Sequence, residues 1–204
     1  MIRILDYGVG NLRAILNIYK YLGIPASLAK NASQLIDADK LILPGVGSFD
    51  QAMKLLEASG MRSMLEDLVI KRTVPILGIC VGMQMLAESS EEGARSGLGW
   101  ISGKVLKLKP IKTEDNILLP HMGWNEVEII RDSPLFRYIE PINHFYFLHS
   151  FYFKCSNTDN EIGLTEYGNK FASVISNSNM YGVQFHPEKS HQFGIDLLRG
   201  FSEI

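Results

Sequence analysis

The sequence predicts an α/β fold built on a mostly parallel sheet flanked by helices. In the first half, short apolar runs end in glycine-containing turns and lead into segments with helical periodicity, and this unit recurs four times. Such repetition is typical of βαβ units, whose right-handed crossovers place helices on both faces of the sheet. The second half has strand-like runs with few helices between them, so we expect a more antiparallel extension there.

The first unit begins with the apolar run Ile2–Asp6 and a turn that contains Gly8 and Gly10. We interpret these two glycines as structural packing near the sheet edge. Asn11 is a candidate helix cap, because the apolar residues after it follow helical spacing: Leu12, Ile15, Leu16, Tyr19 and Leu22. Gly23 is expected to end this helix.

The rest of the first half alternates in the same way. Its predicted strands are Ala26–Ala29, Lys40–Leu43 and Val74–Ile79. Its predicted helices are Phe49–Ala58, a second from about Met61 to Arg72, and a third from Cys80 to about Glu88. Gly60 is the expected stop between the first two of these helices.

The second half reads mainly as strands, which are Lys104–Leu108, Asn125–Ile130, Phe145–Phe153, Glu161–Thr165, Ala172–Ser176 and Tyr181–Phe185. A final helix is predicted over Phe193–Phe201. In a fold of this class, ligands gather at the carboxyl ends of the parallel strands.

The composition excludes several classes of function. The 204 residues carry 20 basic against 22 acidic side chains, which argues against nucleic acid or an anionic membrane as the main partner. Two cysteines are too few for a disulfide framework or a zinc finger, and we expect no metal and no cofactor. No signal peptide, membrane-length apolar run or linker is evident, so we expect a soluble, cytoplasmic chain with one domain over residues 1–204.

The sharpest local pattern is Gly78-Ile79-Cys80-Val81-Gly82, which joins a predicted strand to a predicted helix. This is the form of a nucleophile elbow with cysteine in the place of serine. The glycines relieve clashes in a tight turn, and the helix N-terminus behind Cys80 favours the thiolate. The amide of Val81 would point toward an oxyanion. The alternative is a buried structural cysteine in an apolar strand.

A thiolate nucleophile needs a general base, and the chain has five histidines. His186 stands out because it directly follows a predicted strand and precedes Glu188 by two residues. On an extended segment this spacing puts both side chains on one side, where Glu188 would hold the tautomer of His186. Pro187 stiffens the segment. A lone His-Pro-Glu is more often a surface loop, but its combination with Cys80 favours a catalytic triad.

Pro44-Gly45-Val46-Gly47 follows the third predicted strand. It is either a simple turn or a loop whose backbone amides approach a substrate oxygen. The residues alone leave both possibilities open. Cys155 has no comparable setting, and we assign it no role.

These motifs resemble those of the class I glutamine amidotransferases, and within that class the glutaminase subunits of imidazole glycerol phosphate synthase. The class motifs are Gly-Ile-Cys-Val-Gly-Met-Gln at 78–84 and His-Pro-Glu at 186–188. The subunit motifs are Pro-Gly-Val-Gly at 44–47, Pro-His-Met-Gly-Trp-Asn at 120–125 and Phe-Leu-His-Ser at 147–150. The resemblance covers nearly the whole chain, and it implies a flavodoxin-like sheet.

The resemblance also implies site residues. Cys80 would be the nucleophile, His186 the base and acid, and Glu188 its orienter. Amides of three residues would form the oxyanion hole: Val81, Val46 and Gly47. The implied glutamine-binding positions are Gly47, Gln84, Glu92 and Ser150. The positions implied near a partner interface and an ammonia passage are Asn11, Trp124 and Lys189.

The implied reaction is hydrolysis of L-glutamine to glutamate and ammonia through a cysteinyl thioester. Ammonia would be lost as ammonium in bulk water, and the chain shows no second catalytic domain. A synthase partner is therefore required, and the family supplies a (β/α)₈-barrel cyclase subunit of histidine biosynthesis. In this family the Val46 peptide resembles a gate that must turn, so we expect low activity without the partner.

Two features depart from the family pattern. Phe151 stands where a tyrosine usually follows His-Ser, and the segment 190–194 resembles paralogues that supply ammonia to a sugar amidotransferase in surface-polysaccharide synthesis. The ammonia acceptor therefore has two candidates. A cysteine-dependent α/β hydrolase is disfavoured because its acid precedes the histidine in the chain, whereas Glu188 follows His186. The third alternative, a non-catalytic binding subunit, does not explain an intact triad.

Overall fold

The computed structural model describes residues 1–109 and 118–204. The strands of the first half are β1 (Ile2–Leu5), β2 (Ala26–Ala29), β3 (Lys40–Gly45) and β4 (Ile76–Cys80). The helices of the first half are α1 (Leu12–Tyr21), α2 (Phe49–Ala58), α3 (Arg62–Glu66) and α4 (Val81–Gln84). The strand predictions near residues 2, 26, 40 and 76 are confirmed, and so is the helix over Phe49–Ala58.

The second half is dominated by strands, as predicted. They are β5 (Ser89–Ser90), β6 (Gly103–Lys107), β7 (His121–Asn125), β8 (Glu128–Ile129), β9 (Phe145–His149), β10 (Phe151–Cys155), β11 (Glu161–Tyr167), β12 (Asn169–Asn177) and β13 (Met180–Val183). The last helix is α5 (His191–Ser202).

The main sheet has eight strands in the order β2-β1-β3-β4-β13-β12-β11-β8. The first five of these strands run parallel to one another. From β13 onward each pair of neighbouring strands is antiparallel. The predicted fold class is confirmed, including the antiparallel extension. Two smaller sheets, β10-β6-β5 and the ribbon β7-β9, accompany the main sheet.

The core forms where helices cover the main sheet. The apolar face of α1 buries Ile15 and Tyr19, and the Tyr19 hydroxyl donates a hydrogen bond to the carbonyl of Leu198 in α5 at 3.2 Å. Phenylalanine side chains from both halves are fully buried, which include Phe49, Phe145, Phe147, Phe153, Phe185 and Phe201. Among the residues described, no helix is long and apolar enough to cross a membrane.

Two helix predictions in the first half differ from the structure, one in extent and one in helix type. The helix after Cys80 ends at Gln84 rather than near Glu88, because the carbonyls of residues 85–87 accept hydrogen bonds from amides of residues 98–101 instead. The helix expected from about Met61 to Arg72 is confirmed in extent, but it is α-helical only over Arg62–Glu66 and passes directly into a π-helical turn over Asp67–Lys71. There the Asn179 side chain donates to the Val69 carbonyl.

Two strand predictions in the second half are also wrong in extent. The run Asn125–Ile130 is split at Val127. The Asn143 side chain accepts from the Val127 amide and donates to the Val127 carbonyl, so that neither group is free for strand pairing. The run Phe145–Phe153 breaks at Ser150, where the chain leaves its pairing with β7 and begins to pair with β6. This break places Ser150 beside the cavity described below.

Asn11 begins α1 in an unexpected way. Its side chain makes no capping hydrogen bond, so the predicted side-chain cap is wrong. Its backbone carbonyl instead accepts from the amides of Ala14 and Ile15. The packing interpretation of Gly10 is supported, because a Cβ there would lie 2.8 Å from the Pro44 side chain.

Candidate active site

A cavity of about 710 Å³ lies where the carboxyl ends of β3, β4 and β13 meet. These three strands are neighbours in the sheet, and the register pairs Gly45 of β3 with Cys80 of β4. Eleven of the residues predicted for the site line this cavity: Asn11, Val46, Gly47, Cys80, Val81, Gln84, Glu92, Ser150, His186, Glu188 and Lys189. Segments far apart in the sequence thus form one wall.

Cys80 sits at a strained turn between β4 and α4. Its φ of 55° lies in a region that L-residues with side chains seldom adopt. The turn is possible because glycines let the backbones approach each other. A Cβ on Gly82 would collide with the Leu43 carbonyl, and a Cβ on Gly78 would lie 2.7 Å from the Gly82 carbonyl. This is the geometry expected of a nucleophile elbow.

The Cys80 sulfur lies near polar groups of the surrounding chain. Its Sγ lies 4.0 Å from the carbonyl oxygen of Leu148 and 3.8 Å from Nε2 of Gln184. Only 3% of Cys80 is exposed, so access to the sulfur is through the cavity. The other cysteine, Cys155, is buried in β10, and burial raises the pKa of its thiol to about 12.

His186 and Glu188 form a buried pair beside the cysteine. Nδ1 of His186 donates to Oε1 of Glu188 at 2.9 Å, and both side chains are almost fully buried. The segment Pro187–Lys189 is a short 3₁₀ turn, so the expected extended spacing is wrong. The two side chains still meet, because His186 itself is extended and its amide donates to the Tyr146 carbonyl.

The electrostatics separate His186 from its buried neighbours. Burial lowers the pKa of His186, but the hydrogen bonds and charges of Cys80 and Glu188 outweigh it and raise this pKa to about 10. By contrast, burial lowers the pKa of His121 to about 4 and that of His149 to about 3. His186 is therefore the buried histidine that holds a proton at neutral pH, as a partner of a thiolate must.

Candidate substrate-binding groups line the same cavity as Cys80 and His186. The amide nitrogen of Gln84 donates to the Phe151 carbonyl at 3.0 Å and to Oε1 of Gln184 at 3.1 Å, which leaves the Gln84 carbonyl oxygen for a ligand. Glu92 is held in place because its Oε2 accepts from the Phe49 amide at the start of α2. Gly47 has a φ of 85°, which suits a loop that presents backbone amides.

Of the three positions implied near a partner interface, two line the cavity and one does not. Asn11 and Lys189 line the cavity, and the Lys189 ammonium lies 5.5 Å from the centroid of the Tyr146 ring. Trp124 lies outside the cavity wall, half-exposed on β7, where it stacks on His191 with ring centroids 5.2 Å apart. These residues share a region of the surface, because Trp124 and Tyr146 are paired across β7 and β9.

Sequence reasoning missed two polar groups of the site, Gln184 and His149. Gln184 contacts the Cys80 sulfur, and His149 donates to the Phe151 carbonyl at 2.8 Å. A signal for Gln184 was available, because it lies two residues before His186 at the end of a strand. His149 lies in the Phe-Leu-His-Ser motif at 147–150, but its contact with His121 could not be predicted because it depends on the pairing of β7 with β9.

Comparisons with known proteins agree with this geometry. The family model described as "Glutamine amidotransferase class-I" matches residues 3–201. A protein of Bdellovibrio bacteriovorus named "Imidazole glycerol phosphate synthase subunit HisH" is 54% identical over 204 residues, which cover all of both chains. One of Leptospira interrogans with the same name is 48% identical over the same coverage.

A solved structure titled "Crystal structure of glutamine amidotransferase" has the same fold. Its TM-score is 0.75 at 20% identity, and the match covers 99% of this chain and 97% of that chain. At this identity the likeness concerns the fold alone.

Proposed function

This chain belongs to the class I glutamine amidotransferases, and we propose that it is the glutaminase subunit of an imidazole glycerol phosphate synthase in histidine biosynthesis. It would hydrolyse L-glutamine and pass ammonia to a synthase partner. The observation that carries the proposal is the buried cluster of Cys80, His186 and Glu188 at the cavity, in which His186 retains its proton. The relatives that carry the subunit name match this chain over its whole length.

The first half of the reaction forms a thioester. The Cys80 thiolate attacks the side-chain amide carbon of glutamine, and the carbonyl oxygen becomes an oxyanion. The Val81 amide, at the first position of α4, and amides of the loop at Val46 and Gly47 would stabilise that charge. The His186 imidazolium then gives its proton to the leaving nitrogen, the C–N bond breaks, and ammonia departs.

The second half releases glutamate. Neutral His186 takes a proton from a water molecule that attacks the thioester carbon, and the C–S bond breaks to return the thiolate and the imidazolium. Glu188 holds Nδ1 of His186 throughout, so that Nε2 is the nitrogen that exchanges protons. The cavity supplies Gln84, Glu92 and Ser150, with Gly47, as the groups that would hold the substrate.

The proposed assembly follows from the fate of ammonia. Free ammonia becomes ammonium in water, so the acceptor enzyme must dock over the cavity, and we propose a (β/α)₈-barrel cyclase subunit as that partner. Asn11, Lys189 and Trp124 are the proposed contacts near the passage. Residues 1–204 would form one amidotransferase domain that acts in the cytoplasm. The family match over residues 3–201 supports the single domain.

The test combines the chain with its acceptor. The chain is mixed with the cyclase subunit of the same organism and the acceptor substrate of that subunit, and glutamate release and imidazole glycerol phosphate are both measured. We expect both products with the parent chain and neither from glutamine with Cys80→Ala. With ammonium salts as the nitrogen source the cyclase should turn over in either mixture, which shows that the acceptor is active, and co-elution of Cys80→Ala with the cyclase shows that the variant folds and docks.

Two results would contradict the proposal. Glutamine-dependent turnover by Cys80→Ala in the complex would exclude the cysteinyl thioester. Stimulation of glutamate release by a sugar amidotransferase, but not by the cyclase, would assign the chain to surface-polysaccharide synthesis, the destination that the segment 190–194 suggests. The names of the full-length relatives favour the cyclase.

A further inference from the structure

A chain of hydrogen bonds fixes the orientation of two buried amides behind the nucleophile. The Phe151 carbonyl can only accept, and it receives bonds from Nδ1 of His149 at 2.8 Å and from the Gln84 side chain at 3.0 Å. The Gln84 group at this carbonyl must therefore be the NH₂ group. Its second hydrogen points at the Gln184 side chain, 3.1 Å away.

The orientation of Gln84 dictates that of Gln184. Because the Gln84 NH₂ group donates, the Gln184 atom that meets it must be the oxygen Oε1. The other end of the Gln184 amide is then the donor Nε2, and it lies 3.8 Å from Sγ of Cys80. The backbone of this residue is held as well, because the backbone N–H of Gln184 donates to the Ser173 carbonyl at 2.9 Å.

We propose that Gln184 is a positioning residue for Cys80, whose Nε2 holds the sulfur toward the cavity and stabilises it as a thiolate. The inference rests on the proposed function, because it concerns the nucleophile of that reaction. A hydrogen bond donated to an anion is stronger than one donated to a neutral thiol. Gln184 therefore favours the reactive form of Cys80 from a fully buried position that is not part of the cavity lining.

A packing role alone does not explain this residue. Gln184 is fully buried between apolar neighbours in sequence, Val183 and Phe185, which are fully buried too. Burial of an amide costs free energy unless both ends are bonded, and an apolar side chain of similar volume would fill the same space. At Gln184 both ends are bonded, one to Gln84 and one to Cys80.

The test measures the thiolate of Cys80 directly in the full chain. Alkylation of Cys80 by iodoacetamide is followed against pH by mass spectrometry, in the parent and in Gln184→Met, which has a similar volume and no donor. We expect the pH midpoint of alkylation to rise by about one unit, the size of one hydrogen bond to a charged group. Cys155 stays a buried thiol and does not interfere.

A second variant separates the donor from the network. Gln184→Glu keeps an oxygen toward Gln84 but replaces the donor at the sulfur by an acceptor, so its midpoint should rise at least as far. The matched control is Ser173→Ala, because Ser173 is fully buried on the next strand and its hydroxyl bonds to Thr165 rather than to the sulfur. Its midpoint should equal that of the parent.

Steady-state kinetics in the complex with the cyclase complete the test. Gln184→Met should lower kcat by about tenfold at neutral pH, leave KM for glutamine nearly unchanged, and recover part of kcat at higher pH. Thermal unfolding identifies which variants are folded. Equal alkylation midpoints in the parent and in either folded variant would overturn the role of Gln184. A parent chain that alkylates normally but never hydrolyses glutamine would instead contradict the proposed function.

Discussion

Three buried histidines lie in or beside the site, and their neighbours give them different protonation states. His186 meets a carboxylate and a cysteine, which together overcome the effect of burial and keep it protonated. His121 and His149 meet each other, with Nδ1 of His121 lying 3.1 Å from Nε2 of His149. Because Nδ1 of His149 donates to a carbonyl, its Nε2 is left as an acceptor, so this pair is satisfied in its neutral form.

The neutral pair predicts sensitivity to acid. Burial lowers the pKa of His149 to about 3, whereas an unfolded histidine titrates near 6.5. Between these values the unfolded chain binds the extra proton, so the free energy of unfolding falls as the pH falls through this window, by up to about 1.4 kcal/mol per pH unit. His149→Gln should reduce this slope in urea unfolding measured from pH 7 to pH 4.

The control for this prediction is His144→Gln, because His144 is exposed and the same substitution there removes no buried imidazole. It should leave the acid slope unchanged. An equal slope in the parent and in a folded His149→Gln would show that His149 does not titrate as its burial implies.

At the scale of elements, glycines decide how closely β3 approaches α4. A Cβ on Gly45 would collide with the Gly82 amide, and a Cβ on Gly82 would collide with the Leu43 carbonyl. The obstacles are backbone atoms of two adjacent elements, which cannot rotate away as a side chain does. The elbow and the loop at Val46 and Gly47 are therefore set in place by the same contact.

This contact predicts a large cost for a single methyl group. Gly82→Ala should lower the free energy of unfolding by about 3 kcal/mol or prevent folding, because it overpacks rigid backbone. Gly60→Ala is the comparison, since Gly60 faces open space and has a φ of 69°, which alone costs about 1 kcal/mol. Urea unfolding of both variants measures the difference, and equal losses would mean that conformation and not contact governs Gly82.

The elements also show what a sequence can and cannot predict. Strands β3 and β4 were predictable because each is a short apolar run next to a glycine-containing turn, and the triad was predictable because its residues lie in two compact motifs. The early end of α4 was not predictable, because the carbonyls of residues 85–87 accept hydrogen bonds from the loop at residues 98–101. For the same reason the contacts of Gln184 with Gln84 and Cys80 could not be predicted, because these partners lie far away in the chain.

At the scale of the whole molecule, the ribbon β7-β9 turns its polar histidines inward and apolar groups outward. His121 and His149 face the interior, while Met122, Trp124 and Leu148 are exposed on the other face. Leu148 also lines the cavity. An apolar surface beside the cavity suits the proposed cyclase partner, which must cover the site to receive ammonia.

The isolated chain should therefore be a poor enzyme. The loop at Val46 and Gly47 would complete the oxyanion hole only in the complex, and the loss of one such donor lowers kcat by about a hundredfold or more. Glutamate release at saturating glutamine is compared with and without the cyclase, with Cys80→Ala in the complex as the background. Full activity of the chain alone would show that the loop is already in its productive form.

The stacking of Trp124 on His191 has an optical consequence. The chain has two tryptophans, and the other, Trp100, is partly buried against the core. Indole emission moves to shorter wavelength when water is excluded. The half-exposed Trp124 is thus a built-in fluorophore on the surface beside the site, whose spectrum would report the arrival of a partner without any label.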